Sequence, residues 1–189
     1  MSLALFDMDG TLVDGDTNDM AAAFLTQMGV VDAGFAAPLP EYHRRFYAGT
    51  LSIEDFIAYI VTPFVGMPGP RRRALLHDMV QQAVLPNVKP GARRALSFHA
   101  ARGDTAVIVT STVDYLVQEF GAALGVAHVV AAPMELEDDV ITGRLAGTVP
   151  YQQGKVAAIH AYLKAHGLDG LPGGYAYGDS VNDLPMMQL

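Results

Sequence analysis

Four aspartates stand close together near the start of the chain, in the stretch LALFDMDGTLVDGD at residues 3–16. Asp7 and Asp9 are two residues apart, so in an extended backbone both side chains point to the same side. Carboxylates this close repel one another and are costly to bury unless a cation meets them. The stretch, which also contains Asp14 and Asp16, therefore predicts a site that holds a cation.

Further polar side chains follow two later apolar runs that are typical of buried strands, TAVIVT at 105–110 and YAYG at 175–178. Ligands of open parallel sheets bind beyond the carboxyl ends of the strands, so these side chains are expected at one rim. They form an oxygen-rich set that suits Mg²⁺, together with one lysine that opens a helix. The expected set is Asp7, Asp9, Thr110, Ser111, Thr112, Lys155, Asp179, Ser180, Asn182 and Asp183.

The order of the predicted elements indicates an α/β fold. A strand at 3–6 is followed by helical patterns alone up to residue 84, and beyond a short linker helices and strands alternate. This alternation predicts a parallel sheet with helices on both faces. We therefore divide the chain into a core of residues 1–14 and 88–189 and an inserted helical domain of residues 15–87.

Local patterns add four structural expectations. Thr17 is a plausible N-cap of the first helix, and Thr110 or Ser111 is expected to cap the helix that follows its strand. A hairpin is expected to turn at 138–139. The basic run at 71–73 is expected to form a solvated helix face.

Composition limits the classes of protein and of partner. The chain is 51% hydrophobic and 17% charged, which is typical of a folded globular protein. A net charge of -8 argues against a broad nucleic-acid or anionic-membrane surface, and the absence of cysteine excludes disulfides and thiolate metal sites. No apolar run approaches the length of a membrane span, so we expect a soluble, cytoplasmic protein of unspecified oligomeric state.

Four short motifs, DMDGT, VTST, GK and GDSVND, occur in order and in suitable strand contexts. Together they resemble the haloacid dehalogenase (HAD) superfamily of phosphohydrolases, and the helical insert resembles its subfamily IB, which contains phosphoserine phosphatase. The resemblance implies a Rossmann-like core with a C1-type helical cap, and a phosphoric monoester hydrolase that uses Mg²⁺. Relatives usually add a strand and a helix beyond the final PMMQL, so we expect a truncated C-terminal end or an unusually small sheet.

The resemblance also implies roles for the rim residues. Asp7 would attack phosphorus and become an aspartyl phosphate, and Asp9 would act as general acid and base while its backbone carbonyl contacts the metal. Asp179 would be the second carboxylate ligand of the metal. Thr110 and Ser111 would contact the phosphoryl oxygens, and Lys155 would offset the negative charge of the nucleophile and the phosphate. Asn182 and Asp183 would hold the metal shell and the loop.

The insert is expected to select the substrate. Asp16 occupies the position at which phosphoserine phosphatases carry the acid for the substrate amine, whereas their arginine for the substrate carboxylate falls near Ile60. Arg45 is a secondary candidate for substrate contact. We therefore expect a small amine-bearing phosphate ester, with histidinol phosphate a better candidate than phosphoserine.

Other functions share parts of this pattern. A phosphotransferase or mutase uses the same covalent intermediate, and a receiver-type signalling domain uses similar residues but has no helical insert after its first strand. A calcium loop starting at Asp7 fails because Leu12 and Asn18 stand where glycine and glutamate are needed, and Lys155 lacks the sequence of a P-loop. The histidines show no metal-binding spacing and are expected to be solvent or packing residues.

Overall fold

The central feature of the computed structural model, which describes residues 2–168, 170–171 and 173–189, is a parallel sheet. The described strands are β1 (Leu3–Phe6), β2 (Thr105–Val113), β3 (His128–Ala132), β4 (Met134–Glu137), β5 (Val140–Leu145) and β6 (Tyr175–Tyr177). The parallel sheet has the strand order β3-β2-β1-β6, and β4 and β5 form a separate antiparallel hairpin.

Helices fill the interval between β1 and β2 and then alternate with the later strands. Within the described residues, no helix has the length and apolar character needed to cross a bilayer. The first group is α1 (Thr17–Gln27), α2 (Ala33–Ala36), α3 (Leu39–Tyr47), α4 (Ile53–Ile60) and α5 (Gly69–Met79). The second group is α6 (Pro90–Arg102), α7 (Asp114–Leu124), α8 (Gln153–Ala165) and α9 (Leu184–Met187).

Both faces of the sheet are covered, because successive side chains of β1 point to opposite sides. Leu5 belongs to a buried cluster with Ile159 of α8, whereas Phe6 belongs to another with Phe120 of α7. A strand buried on both faces needs a continuous apolar run, and all four residues of β1 are buried. The predicted parallel α/β sheet with helices on both faces is confirmed.

The chain enters and leaves the first group of helices at adjacent points. Asp14 N–H donates to the carbonyl of Asn87 over 2.8 Å, and Val13 pairs with Val88 in an antiparallel bridge. Leu25 and Ile57 of the helical group lie in the same buried cluster as Phe120. That the group forms a cap domain with boundaries at 15 and 87 stays a prediction.

Two of the expected helix caps are wrong. Asp16, rather than Thr17, caps α1, because its carboxylate accepts from Asn18 N–H at 2.7 Å. Neither Thr110 nor Ser111 caps α7, since β2 continues to Val113 and α7 begins without a side-chain cap. The residues TSTV are mostly β-branched, which favours an extended backbone over an early turn.

The predicted hairpin turn is confirmed, and it binds a buried arginine. Asp138 and Asp139 have φ values of 49° and 64°, as a two-residue turn of type I′ requires. Arg72 of α5 is only 4% exposed and donates to the carbonyl and the carboxylate of Asp139, at 2.8 and 2.9 Å. The expectation of a solvated face is therefore wrong for Arg72, although Arg73 is exposed.

We expect Arg72→Ala to lower the free energy of unfolding by on the order of 2 kcal/mol, because it removes a buried side chain together with its two hydrogen bonds to Asp139. Arg73→Ala is a matched control, since Arg73 contacts the same Asp139 from a largely exposed position. Its effect should be far smaller. Denaturant unfolding of both variants measures the difference, and equal losses would contradict the assignment of Arg72 as the buried anchor.

Candidate active site

A buried lysine joins two of the predicted acids at the carboxyl ends of β1 and β6. Lys155, in the first turn of α8, is 3% exposed, and its ammonium donates to Asp7 Oδ1 at 2.6 Å and to the carboxylate of Asp183. Burial raises the pKa of Asp7 to about 6; Lys155 opposes this increase and Asp183 adds to it. One cation thus offsets part of the repulsion between two buried acids.

Asp183 is held by the loop that follows β6. Its second oxygen accepts from the backbone N–H and the hydroxyl of Ser180, at 3.2 and 3.0 Å. Asn182 lies beside it and accepts from Gln152 Nε2 at 3.1 Å. With Lys155 on its first oxygen, Asp183 has both oxygens engaged, which fits the predicted role of holding the loop.

Asp179 completes a group of hard oxygen donors. One carboxylate oxygen from each of Asp7, Asp179 and Asp183 lies within 4.8 Å of the others, which suits a small divalent cation such as Mg²⁺. Thr11 Oγ1 donates to Asp179 over 3.3 Å. Gly10 has φ 78° and lies so close to Asp179 that a β-carbon would overlap the carboxylate. The donor set and this cradle fit the predicted metal.

The Asp9 carboxylate points away from this group. It accepts from Thr17 N–H and from Thr112 Oγ1, both at 2.7 Å. Burial is the main factor that raises the pKa of Asp9 to about 7, followed by the charge of Asp16, and the two hydrogen bonds oppose the increase. An acid of this pKa can hold and release a proton near neutral pH. The predicted metal contact of its backbone carbonyl stays a prediction.

Thr112 was expected at the rim, but the sequence analysis assigned it no role, although it stands in the VTST motif. Its hydroxyl donates to Asp9, so the hydroxyl of Thr110 is the donor in the 3.2 Å bond between the two threonines. Thr110 also accepts from Thr112 N–H at 3.1 Å. Thr110 therefore has to break a bond to Thr112 before its hydroxyl can donate to a phosphoryl oxygen.

The acids line a cavity of about 140 Å³, and aromatic side chains form part of its wall. Phe46 of α3 packs on Tyr151, just before α8, with ring centroids 5.1 Å apart, so the wall connects the helical group to the start of α8. His43 also lines the cavity, which the sequence analysis did not anticipate. The predicted residues at the cavity are Asp7, Asp9, Asp16, Thr110, Ser111, Thr112, Lys155, Asp179, Ser180, Asn182 and Asp183.

Arg45 is the predicted residue that does not line this cavity. It is exposed, and its guanidinium donates to the carbonyl of Thr50 at 3.4 Å. Ile60, where the arginine for a substrate carboxylate was sought, does line the cavity. That part of the wall is therefore apolar.

A family model of haloacid dehalogenase-like hydrolases matches residues 4–188. This chain belongs to that family. A histidinol-phosphatase of Neisseria meningitidis serogroup C is 26% identical over 192 residues, which cover 100% of this chain and 86% of the relative. The phosphoserine phosphatase SerB2 of Mycobacterium tuberculosis is 26% identical over 98% of this chain, but the match spans only 41% of that longer protein.

The fold is also found among solved structures. A protein with unknown function from Bordetella pertussis Tohama I has a TM-score of 0.86 and 29% identity, over 98% of this chain and 85% of that one. These findings confirm the predicted HAD family, the fold and the class of phosphoric monoester hydrolases. The family match, with helices between β1 and β2, also disfavours a receiver domain.

The raised pKa values predict how stability changes with pH in the metal-free protein. Asp7 and Asp9 keep their protons to about pH 6 and 7 when folded but lose them near the ordinary value of 3.8 when unfolded. The folded state thus binds more protons between these limits, and the free energy of unfolding falls as pH rises from 5 to 8. We expect the Asp9 contribution to be on the order of 3 kcal/mol.

Asp9→Asn isolates this contribution, since the amide has a similar shape and does not titrate. Unfolding by denaturant in the presence of a chelator, at pH 5, 6, 7 and 8, should give a flatter pH dependence for the variant than for the wild type. Parallel curves for the two proteins would show that Asp9 does not carry the predicted proton.

Proposed function

We propose that this chain is a Mg²⁺-dependent phosphomonoesterase that works through an aspartyl phosphate on Asp7. The observation that carries the proposal is the buried contact of Lys155 with Asp7, beside the oxygen donors of Asp179 and Asp183. A carboxylate approaches a phosphate dianion only where positive charge offsets their repulsion. The metal would be held by Asp7 and Asp179, and when bound it would neutralise charge on the phosphoryl group.

In the first step, an oxygen of Asp7 attacks phosphorus and the bond from phosphorus to the ester oxygen breaks. Asp9 donates its proton to the departing alcohol, and its pKa of about 7 suits this transfer. In the second step, Asp9 takes a proton from water, and the water oxygen attacks phosphorus. The bond between phosphorus and Asp7 then breaks, which releases phosphate and restores both carboxyl groups.

Thr112 and the N-terminus of α1 orient Asp9 for these transfers. Because Thr17 N–H and the Thr112 hydroxyl both donate to it, the carboxyl group is held in one position at the cavity. Ser111, which is partly exposed and lines the cavity, is available to donate to the phosphoryl oxygens. Thr110 joins it after releasing Thr112.

The cavity supports an amine-bearing ester without a carboxylate as the substrate. Asp16 is partly buried at the cavity and offers negative charge to an ammonium group. Among the described lining residues, Lys155 is the one lysine or arginine, and it is already bonded to two acids. With apolar Ile60 in the wall, a carboxylate such as that of phosphoserine lacks a cationic partner. Histidinol phosphate, which the Neisseria relative is named for, fits better.

The test is a phosphate-release screen with Mg²⁺ on histidinol phosphate, phosphoserine, other aminoalkyl phosphates and sugar phosphates. We expect turnover, highest with an amine-bearing ester that lacks a carboxylate, and loss of turnover after chelation. Asp7→Asn should reduce turnover by a factor of about 10³ or more, since it removes the nucleophile. Asp14→Asn is the matched control, because Asp14 belongs to the same stretch but its side chain is 81% exposed.

Two outcomes would contradict the proposal. The first is no phosphate release from any ester in the presence of Mg²⁺. The second is release by Asp7→Asn at the rate of the Asp14→Asn control. A preference for phosphoserine over histidinol phosphate would support the proposed phosphatase activity but contradict the proposal that the substrate lacks a carboxylate.

A further inference from the structure

The turn that precedes α8 contains a glutamine in an unfavourable backbone conformation. Gln152 has φ 48° and ψ -119°, which are the values of the second residue in a type II′ turn. Gly154 N–H closes the turn by donating to the carbonyl of Tyr151 at 2.7 Å. Glycine is the usual residue at this second position, because a β-carbon is strained there. Strain of this kind is typical of positions at which a side chain serves the function of the protein.

The Gln152 side chain joins two residues of the cavity wall. Its Nε2 lies 3.1 Å from Asn182 Oδ1 and 3.3 Å from the hydroxyl oxygen of Tyr151. Tyr151 and Asn182 both line the cavity, whereas Gln152 is exposed and does not line it. Gln152 therefore acts on the cavity through its two neighbours.

The direction of these hydrogen bonds decides what the wall offers to a ligand. An amide NH2 group carries two hydrogens, so Gln152 can donate to both neighbours at once. Tyr151 then keeps its hydroxyl hydrogen, and Asn182 keeps both hydrogens of its amide, for acceptors in the cavity. An anionic ester needs such donors, because Lys155 is already bonded to two acids.

We propose that Gln152 is a positioning residue that orients the Asn182 amide and the Tyr151 hydroxyl so that both donate to the phosphoryl oxygens. The inference rests on the proposed phosphatase function and names a residue outside the cavity that sets the hydrogen-bonding direction of its wall. If Gln152 accepted from both neighbours instead, their donors would be used up and the Asn182 carbonyl would face an anion. Glycine would suit the turn better but has no side chain to supply the amide.

The test measures kcat/KM for para-nitrophenyl phosphate with saturating Mg²⁺ in two variants of Gln152. Gln152→Glu has nearly the same shape, but its carboxylate only accepts, so it holds both neighbours in the opposite direction. Gln152→Met removes the amide and leaves both neighbours free to rotate. We expect kcat/KM to fall about tenfold in Gln152→Glu, and by a smaller factor in Gln152→Met.

Two further variants separate charge and strain from this effect. Gln153→Glu introduces the same charge one residue away, at an exposed glutamine that does not line the cavity, and should change kcat/KM far less. Gln152→Gly lacks the amide, as Gln152→Met does, but relieves the backbone strain. It should therefore unfold at a higher denaturant concentration than Gln152→Met.

A purely structural role predicts the opposite order of the variants. If Gln152 only tied the turn to its neighbours, Gln152→Glu would keep both hydrogen bonds and would be more active than Gln152→Met. That order, full activity of Gln152→Glu, or equal losses in Gln152→Glu and Gln153→Glu would overturn the inference. An unfolding midpoint of Gln152→Gly no higher than that of Gln152→Met would overturn the claim that the glutamine is strained.

The wild type separates this inference from the proposed function. Failure of the wild type to hydrolyse para-nitrophenyl phosphate would reject the proposed function itself, and the inference with it. Where the wild type is active, the order of the Gln152 variants decides the inference alone.

Discussion

The structure depends on the contact of one buried ammonium group with two carboxylates. Lys155 lies between Asp7, which follows β1, and Asp183, which lies in the loop after β6, and each is buried where an unpaired charge is costly. Removing the lysine would leave two like charges together in a poorly solvated place. The start of α8 and the ends of β1 and β6 are therefore joined by charge as well as by apolar packing.

The same constraint gives the neighbouring acids different chemistry. Asp7 lies beside Lys155 and the other oxygen donors, whereas Asp9 turns toward Thr112 and the start of α1, where it forms no ion pair with any residue that the structure describes. Burial without a cation favours the protonated carboxyl group, which is what an acid catalyst needs. Two acids separated by one residue thus differ in their chemistry, because Asp7 faces a cation and Asp9 faces hydroxyl and amide donors.

Much of the fold and of the site was predictable, because both depend on local signals. An apolar run followed by acids identified β1 and Asp7, and strand ends of a parallel sheet must meet at one rim. The role of Thr112 and the position of His43 were not predictable in this way. Each depends on a contact with a residue that is distant in the sequence. Thr112 is oriented by Asp9, and His43 is oriented by Asp19 in the first turn of α1. The burial of Arg72 was not predictable for the same reason, since its hydrogen-bond partner Asp139 lies 67 residues away in the sequence.

The most direct test of the account is to identify the residue that carries the phosphoryl group. The Asp9→Asn variant should still be phosphorylated by para-nitrophenyl phosphate with Mg²⁺, because this leaving group needs no general acid. Its aspartyl phosphate should then be hydrolysed slowly, because the variant lacks the general base. Acid quenching, proteolysis and mass spectrometry should find one phosphoryl group on Asp7, absent in the Asp7→Asn, Asp9→Asn double variant. A phosphoryl group on another residue, or continued phosphate release by the double variant, would contradict the account.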